Sequence, residues 1–336
     1  MFDQHYKKES PTFTGITRGV GGFGFGASSG GDGGGFADKN INLLIKGKFG
    51  ANGAPQTGAS VATYWASAVQ NYYGGQKTNE YVESDFTRVG DGILKFTLGA
   101  GVYRISARSA DGSGSEHWTG AYYQCDLTLT STLGMLLLIP NHGLGSYSAG
   151  GGLFLIAGTD YTSSSNRAIL IIGGGGGGYS SRNYSGQPGS MYNFLSGRRG
   201  PNSGTNGDYD GGAGWLNSYN TEVYGGIGGS YDYGRAKHFV QGGRGGISQA
   251  CSSSQYGGFG GGGGSCPAGA GGHVGGYPGT NSGGAFGGGG GTSYYNTSYS
   301  PAIISNMLSI DTGSYSSSSA SGETESMQGF FGIYTK

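Results

Sequence analysis

The groups with which this 336-residue chain could do acid–base, nucleophilic or metal chemistry are 5 histidines, 3 cysteines and 19 carboxylates. His5, His117, His142, His238 and His273 stand far apart. None forms the HExxH or HxH spacing that brings two imidazoles to one metal. Surface or turn positions account for all five. Cys251 and Cys266 lack CxxC partners, so no structural zinc is expected. A disulfide between these two is sterically conceivable, and the alternative leaves them reduced together with Cys125. Asp208 and Asp210 flank Tyr209, but two carboxylates fall short of the roughly 6–8 oxygens that calcium takes. Glu80, Glu83 and Asp85, and again Glu323 and Glu325, lie close enough in sequence to suggest the acid pair of a polysaccharide depolymerase. Solvated turns explain both clusters more simply. No phosphate loop ending in Gly-Lys-Ser/Thr is present. The chain is therefore expected not to be an enzyme, with no catalytic residue, no metal and no cofactor.

The elements that would carry any site are read from composition. Glycine supplies 79 residues, several times the usual share of about 7%. Lysine and arginine number 19 against 19 acids, which argues against nucleic acid as a partner, since that needs a concentrated basic face. Collagen is excluded because glycine does not recur at every third position. Disordered chains are poor in aromatics, whereas 13% of this chain is aromatic. Apolar runs are far shorter than the roughly 20 residues that cross a bilayer as a helix. The first 30 residues show no signal peptide, since they lack its apolar core.

Four zones follow. Residues 1–40 turn from polar to glycine-rich and are expected to be an N-terminal attachment segment, or else a flexible tail. Residues 41–172 read as β-structure. Alternation at Ile41, Leu43 and Ile45, and over 93–98, 102–107 and 126–130, predicts strands with one buried face. Continuous apolar runs at 136–139, 153–156 and 169–172 predict strands buried on both faces. One helical stripe, from Val61 through Trp65, Ala68 and Val69 to Tyr72, interrupts them. Residues 173–291 are the glycine zone. Residues 292–336 return to strand patterns at 302–304, 307–310 and 328–334, which are expected to complete the sheets of 41–172.

In the glycine zone, 44 of 119 residues are glycine, too many to order in regular structure without a reason that only glycine satisfies. A packed bundle of polyglycine II helices is such a reason. Three residues per turn leave every N–H free to bond a neighbouring chain, and the absence of side chains lets backbones approach. The fold expected is all-β, a jelly-roll-like β-sandwich with an inserted bundle of polyglycine II helices.

The strand at 101–107, the later strand at 168–172 running into six glycines at 173–178, and the runs at 257–264, 271–272, 275–276 and 287–291 carry a resemblance. This order is similar to that of the glycine-rich extracellular domain of anaplastic-lymphoma-kinase-type receptors. The resemblance implies a β-sandwich with inserted polyglycine helices. The chain also resembles the distal adhesins of T-even-like bacteriophage tail fibres, whose loops between glycine helices contact the host receptor. No kinase or transmembrane segment accompanies the domain, so the receptor reading is set aside.

Tyrosine, serine, glycine and asparagine dominate the loops between glycine runs, as they dominate antibody paratopes. The receptor-contact candidates are Tyr179, Arg182, Tyr184, Tyr192, Arg198, Arg199, Tyr209, Trp215, Tyr219, Tyr224, Tyr231, Tyr233 and Tyr256. About half of the tyrosines are expected to serve packing instead. The expectation is a phage tail or tail-fibre receptor-binding protein, located in the virion and acting outside the cell. Its partners would be a host outer-membrane protein or glycan, other tail proteins through 1–40, and further copies of itself. The alternative is a structural virion or surface-layer protein whose glycine zone packs between subunits.

Overall fold

In a computed structural model, the described residues are 39–50, 57–74, 79–113, 117–145, 148–178, 212–215, 236–248, 255–264, 268–273, 275–276, 290–311, 315–316 and 325–336. They all belong to one unit, Gly35–Lys336. The expected attachment segment lies outside them apart from Lys39 and Asn40.

The strands in chain order are β1 (Asn42–Lys46), β2 (Val69–Gln70), β3 (Thr87–Val89), β4 (Ile93–Leu98), β5 (Gly101–Arg108), β6 (His117–Trp118), β7 (Tyr122–Leu129) and β8 (Leu133–Leu138). They continue as β9 (Leu153–Ala157), β10 (Arg167–Ile172), β11 (Ile247–Ser248), β12 (Gln255–Tyr256), β13 (Tyr294–Tyr295), β14 (Ala302–Asp311), β15 (Tyr315–Ser316) and β16 (Phe330–Thr335). Two antiparallel sheets of 6 strands dominate: a first in the order β14-β7-β5-β16-β1-β2, and a second in the order β13-β10-β9-β8-β4-β3. The architecture is all-β, with almost no helix among the described residues.

The C-terminal strands pair within the sheets. β16 runs between β1 and β5, pairing Leu43 with Ile333 and Ile333 with Ile105. The two expected strands at 302–304 and 307–310 are one strand, β14. Its register against β7 shifts between Ser305 and Leu308, where Asn306 takes φ +49°. Such a bulge offsets the alternation by one residue, which makes one strand read as two. The expected helix is shorter than its stripe. α1 (Val61–Ala66) is capped by Ser60, whose Oγ accepts the Thr63 N–H, and buries Tyr64. Beyond it Val69 and Gln70 pair with Leu44 and Leu43 as β2, so sheet pairing takes the end of the apolar stripe.

The apolar runs divide between two cores. Leu43, Ile45, Ile105, Leu127, Ile304 and Phe331 of the first sheet join Leu94, Phe96, Met135, Leu137, Leu153 and Leu155 of the second in one cluster. The alternate residues of the second sheet, Ile93, Leu136, Leu138, Phe154, Ile156 and Ile171, form another cluster on its other face. Period-two alternation inside a continuous apolar run puts successive side chains into different cores, so β8, β9 and β10 are buried on both faces.

Candidate functional site

The second cluster is closed by three rings from the glycine-rich sequence: Trp215, Phe239 and Phe259, exposed by 5%, 1% and 0%. Phe239 stands 5.1 Å from Trp215 and 5.4 Å from Phe154 between ring centroids. Polar pins hold these rings in place. The Phe259 N–H donates to Asn141 Oδ1 (2.6 Å), while Asn141 Nδ2 donates to the Thr57 carbonyl. His238 Nδ1 lies 3.2 Å from the Gly214 carbonyl.

Behind the rings, segments 110–113, 148–152, 173–178, 212–215, 258–263 and 268–273 are bonded to one another through backbone, outside any strand. Their donors change partner with a period of three. Gly174 and Gly177 donate to Gly271 and Ala268, while Gly175 and Gly178 donate to Ala110 and Ser113. Ala149 and Gly152 donate to Gly263 and Gly260, Ala110 and Ser113 to Gly151 and Ser148, and Gly212 and Trp215 to Gly276 and His273. Consecutive donors point elsewhere: Gly271, Gly272 and His273 bond Gly150, Ala213 and Thr292. In each case residues i and i+3 donate to one neighbour, and those residues between them that donate bond others. A β-strand, with its period of two, cannot do this.

Backbones this close leave no room for a Cβ. A methyl on Gly151 would overlap the Phe259 carbonyl oxygen, and one on Gly271 would overlap that of Gly260. Small apolar contacts remain where alanine replaces glycine, at Ala149, Ala268 and Ala270. The N–H groups named above are satisfied by neighbouring segments rather than by a sheet ladder.

The register also gives the layer two ends. At one end, segments 110–113 and 173–178 continue β5 and β10, and 148–152 leads into β9. At the other, Gly178 bonds Ser113, Ser113 bonds Ser148, Gly177 bonds Ala268, and Gly263 bonds Gly269. Of these residues, Ser113, Ser148, Gly178 and Ala268 adjoin the stretches 114–116, 146–147, 179–211 and 265–267, which lie outside the described residues.

Of the expected contact residues, Trp215 and Tyr256 are described. Trp215 is inside the second cluster and is corrected from a surface contact to a packing residue, because its ring covers the sheet. Tyr256 is half-buried in β12, and its backbone exchanges hydrogen bonds with Leu144 at 2.7 and 2.8 Å. Tyr179, Arg182, Tyr184, Tyr192, Arg198, Arg199, Tyr209, Tyr219, Tyr224, Tyr231 and Tyr233, with Cys251 and Cys266, lie outside the described residues. Sequence reasoning missed the anchoring by Phe239 and Phe259 and the membership of 110–113 and 148–152. Glycine at 112, 114 and 150–152 was the available signal.

Elsewhere, two titratable groups of β7 are engaged in structure. Cys125 is buried, and burial pushes its thiol up to about 12, so it stays protonated and unreactive. Burial also opposes charge on Asp126, yet hydrogen bonds from Arg104, Asn306 and Lys336 prevail and hold its carboxyl at about 2. Among the described residues, no group of three or more His, Cys, Asp or Glu side chains is placed to hold a metal ion. No described helix is long and apolar enough to cross a membrane. No protein-family model matches the chain, and a search of the curated proteins found no match.

Proposed function

We propose that the chain is a receptor-binding protein of a tailed-phage tail or tail fibre, working by recognition rather than catalysis. The two sheets form a β-sandwich, and the glycine segments form a bundle of polyglycine II helices seated on it. The i, i+3 change of hydrogen-bond partner supports this reading, because a helix of three residues per turn presents its donors in three directions. The observation that carries the function is which sequence adjoins the end of the layer remote from the two six-stranded sheets. Ser113, Ser148, Gly178 and Ala268 stand at that end and adjoin, in sequence, 114–116, 146–147, 179–211 and 265–267. The longest of them, 179–211, holds Tyr179, Tyr184, Tyr192 and Tyr209 with Arg182, Arg198 and Arg199. Tyrosine and arginine on a stiff support recognise a surface at low ordering cost. The partner is a host outer-membrane protein or glycan, and residues 1–40 join the chain to other tail proteins.

The test compares the full chain with a variant in which residues 182–209 are replaced by a short glycine-serine linker. Both are applied to a panel of bacterial cells, with circular dichroism confirming that each is folded. Binding by the full chain and its loss in the variant is the expected result. Equal binding by both, or none by the full chain across the panel, contradicts the proposal.

A further inference from the structure

The joint between the glycine layer and the second sheet contains two histidines. His238 is 6% exposed and immediately precedes Phe239, a wedge ring. Its Nδ1 faces the Gly214 carbonyl, an acceptor, so Nδ1 carries the hydrogen of the neutral ring and Nε2 is the atom that takes a further proton. His273 lies stacked on Tyr294 of β13, with centroids 4.8 Å apart and planes at 15°. Its carbonyl accepts the Trp215 N–H, and its own N–H donates to Thr292. Both residues therefore hold the 212–215 segment, one through Gly214 and one through Trp215, and that segment carries the ring that closes the sheet.

Beside His238 stand Lys237 and Arg244, which are bonded to each other through backbone, and Asp91 sits against the Gly242 turn. Tyr294 is the titratable group facing His273. Among the described residues, no carboxylate bonds either ring.

We propose that this joint is an acid-sensitive latch: protonation of His238 and His273 releases the 212–215, 238–243 and 271–273 segments from the second sheet, while the core between the two sheets stays intact. Burial pushes both rings below the ordinary histidine value; at His238 the bond to the Gly214 carbonyl opposes this and Lys237 adds to it, and burial prevails. The released state binds the protons better than the latched state. Stability from the joint is thus fully present above the ordinary histidine pKa and is lost as pH falls through and below it.

The test uses the full chain carrying Trp65→Phe and Trp118→Phe, so that Trp215 alone reports by fluorescence. A reversible red shift between pH 7.5 and 5, with unchanged far-ultraviolet circular dichroism, is expected. The double variant His238→Asn with His273→Phe keeps a donor for Gly214 and a ring for Tyr294, and its emission should stay flat over that range. A flat response in the parent, or the same shift in the double variant, overturns the proposal. If the variants do not fold, ring-proton titrations by NMR in the natural chain decide. Titration of both histidines at or above the ordinary value would also overturn it.

Discussion

The two faces of the second sheet are closed in opposite ways. On one face, leucine, isoleucine and phenylalanine meet the side chains of the first sheet. On the other, three rings seal the sheet, and behind them lies a layer in which backbone meets backbone. The first core gains stability by filling volume with carbon, and the second by excluding side chains so that amides can pair. Substitutions should therefore act with opposite sign of size: the first core suffers when atoms are removed, the second when they are added.

The largest effect is expected from adding atoms to the backbone layer. Gly151→Val would drive a branched side chain into the Phe259 carbonyl and should cost about 4 kcal/mol, or prevent the layer from forming. Denaturant unfolding of the purified variant measures this. Removing atoms from the side-chain core comes next: Leu127→Ala, at a fully buried site between the sheets, should cost about 3 kcal/mol by the same assay.

How much of this was legible in the sequence depends on whether side chains carry the information. The alternation at 93–98 and 102–107 predicts β4 and β5 because apolar residues mark the buried face. The runs at 136–139, 153–156 and 169–172 predict burial on both faces for the same reason. The partners of Gly174 or Gly271 were not legible: glycine has no side chain to mark a face, and three-fold pairing among distant segments leaves no local pattern. Trp215 misled because its neighbours have the composition of an exposed loop, while its role is set by Phe239 and Phe154, far away in sequence. Asn306 hid the unity of β14 by shifting the alternation within it.

Two smaller effects sharpen the comparison. Asp126, held at about 2 by Arg104, Asn306 and Lys336, contributes stability that is present above the usual carboxylate range and lost as pH falls toward 2. Asp126→Asn should cost about 1–2 kcal/mol at pH 7, allowing for solvent around its partners, and the gap from the parent should close in acid. Thermal unfolding of both proteins at pH 7 and pH 2.5 measures it. The smallest effect is expected at Gly74, with φ +70° and open space where a Cβ would stand. Gly74→Ala should cost only about 1 kcal/mol, from backbone conformation alone. A cost there as large as at Gly151 would mean that glycine matters here for its flexibility rather than for close approach.

Amide hydrogen exchange on the full chain at pH 7 tests the existence of the backbone-bonded core most directly. The amides of Gly150, Gly174, Gly177 and Gly271 should exchange as slowly as those of Ile105 and Leu127, because each is buried and bonded to a neighbouring segment. Exchange of these glycines at the rate of an unstructured chain, while β5 and β7 stay protected, would contradict the account.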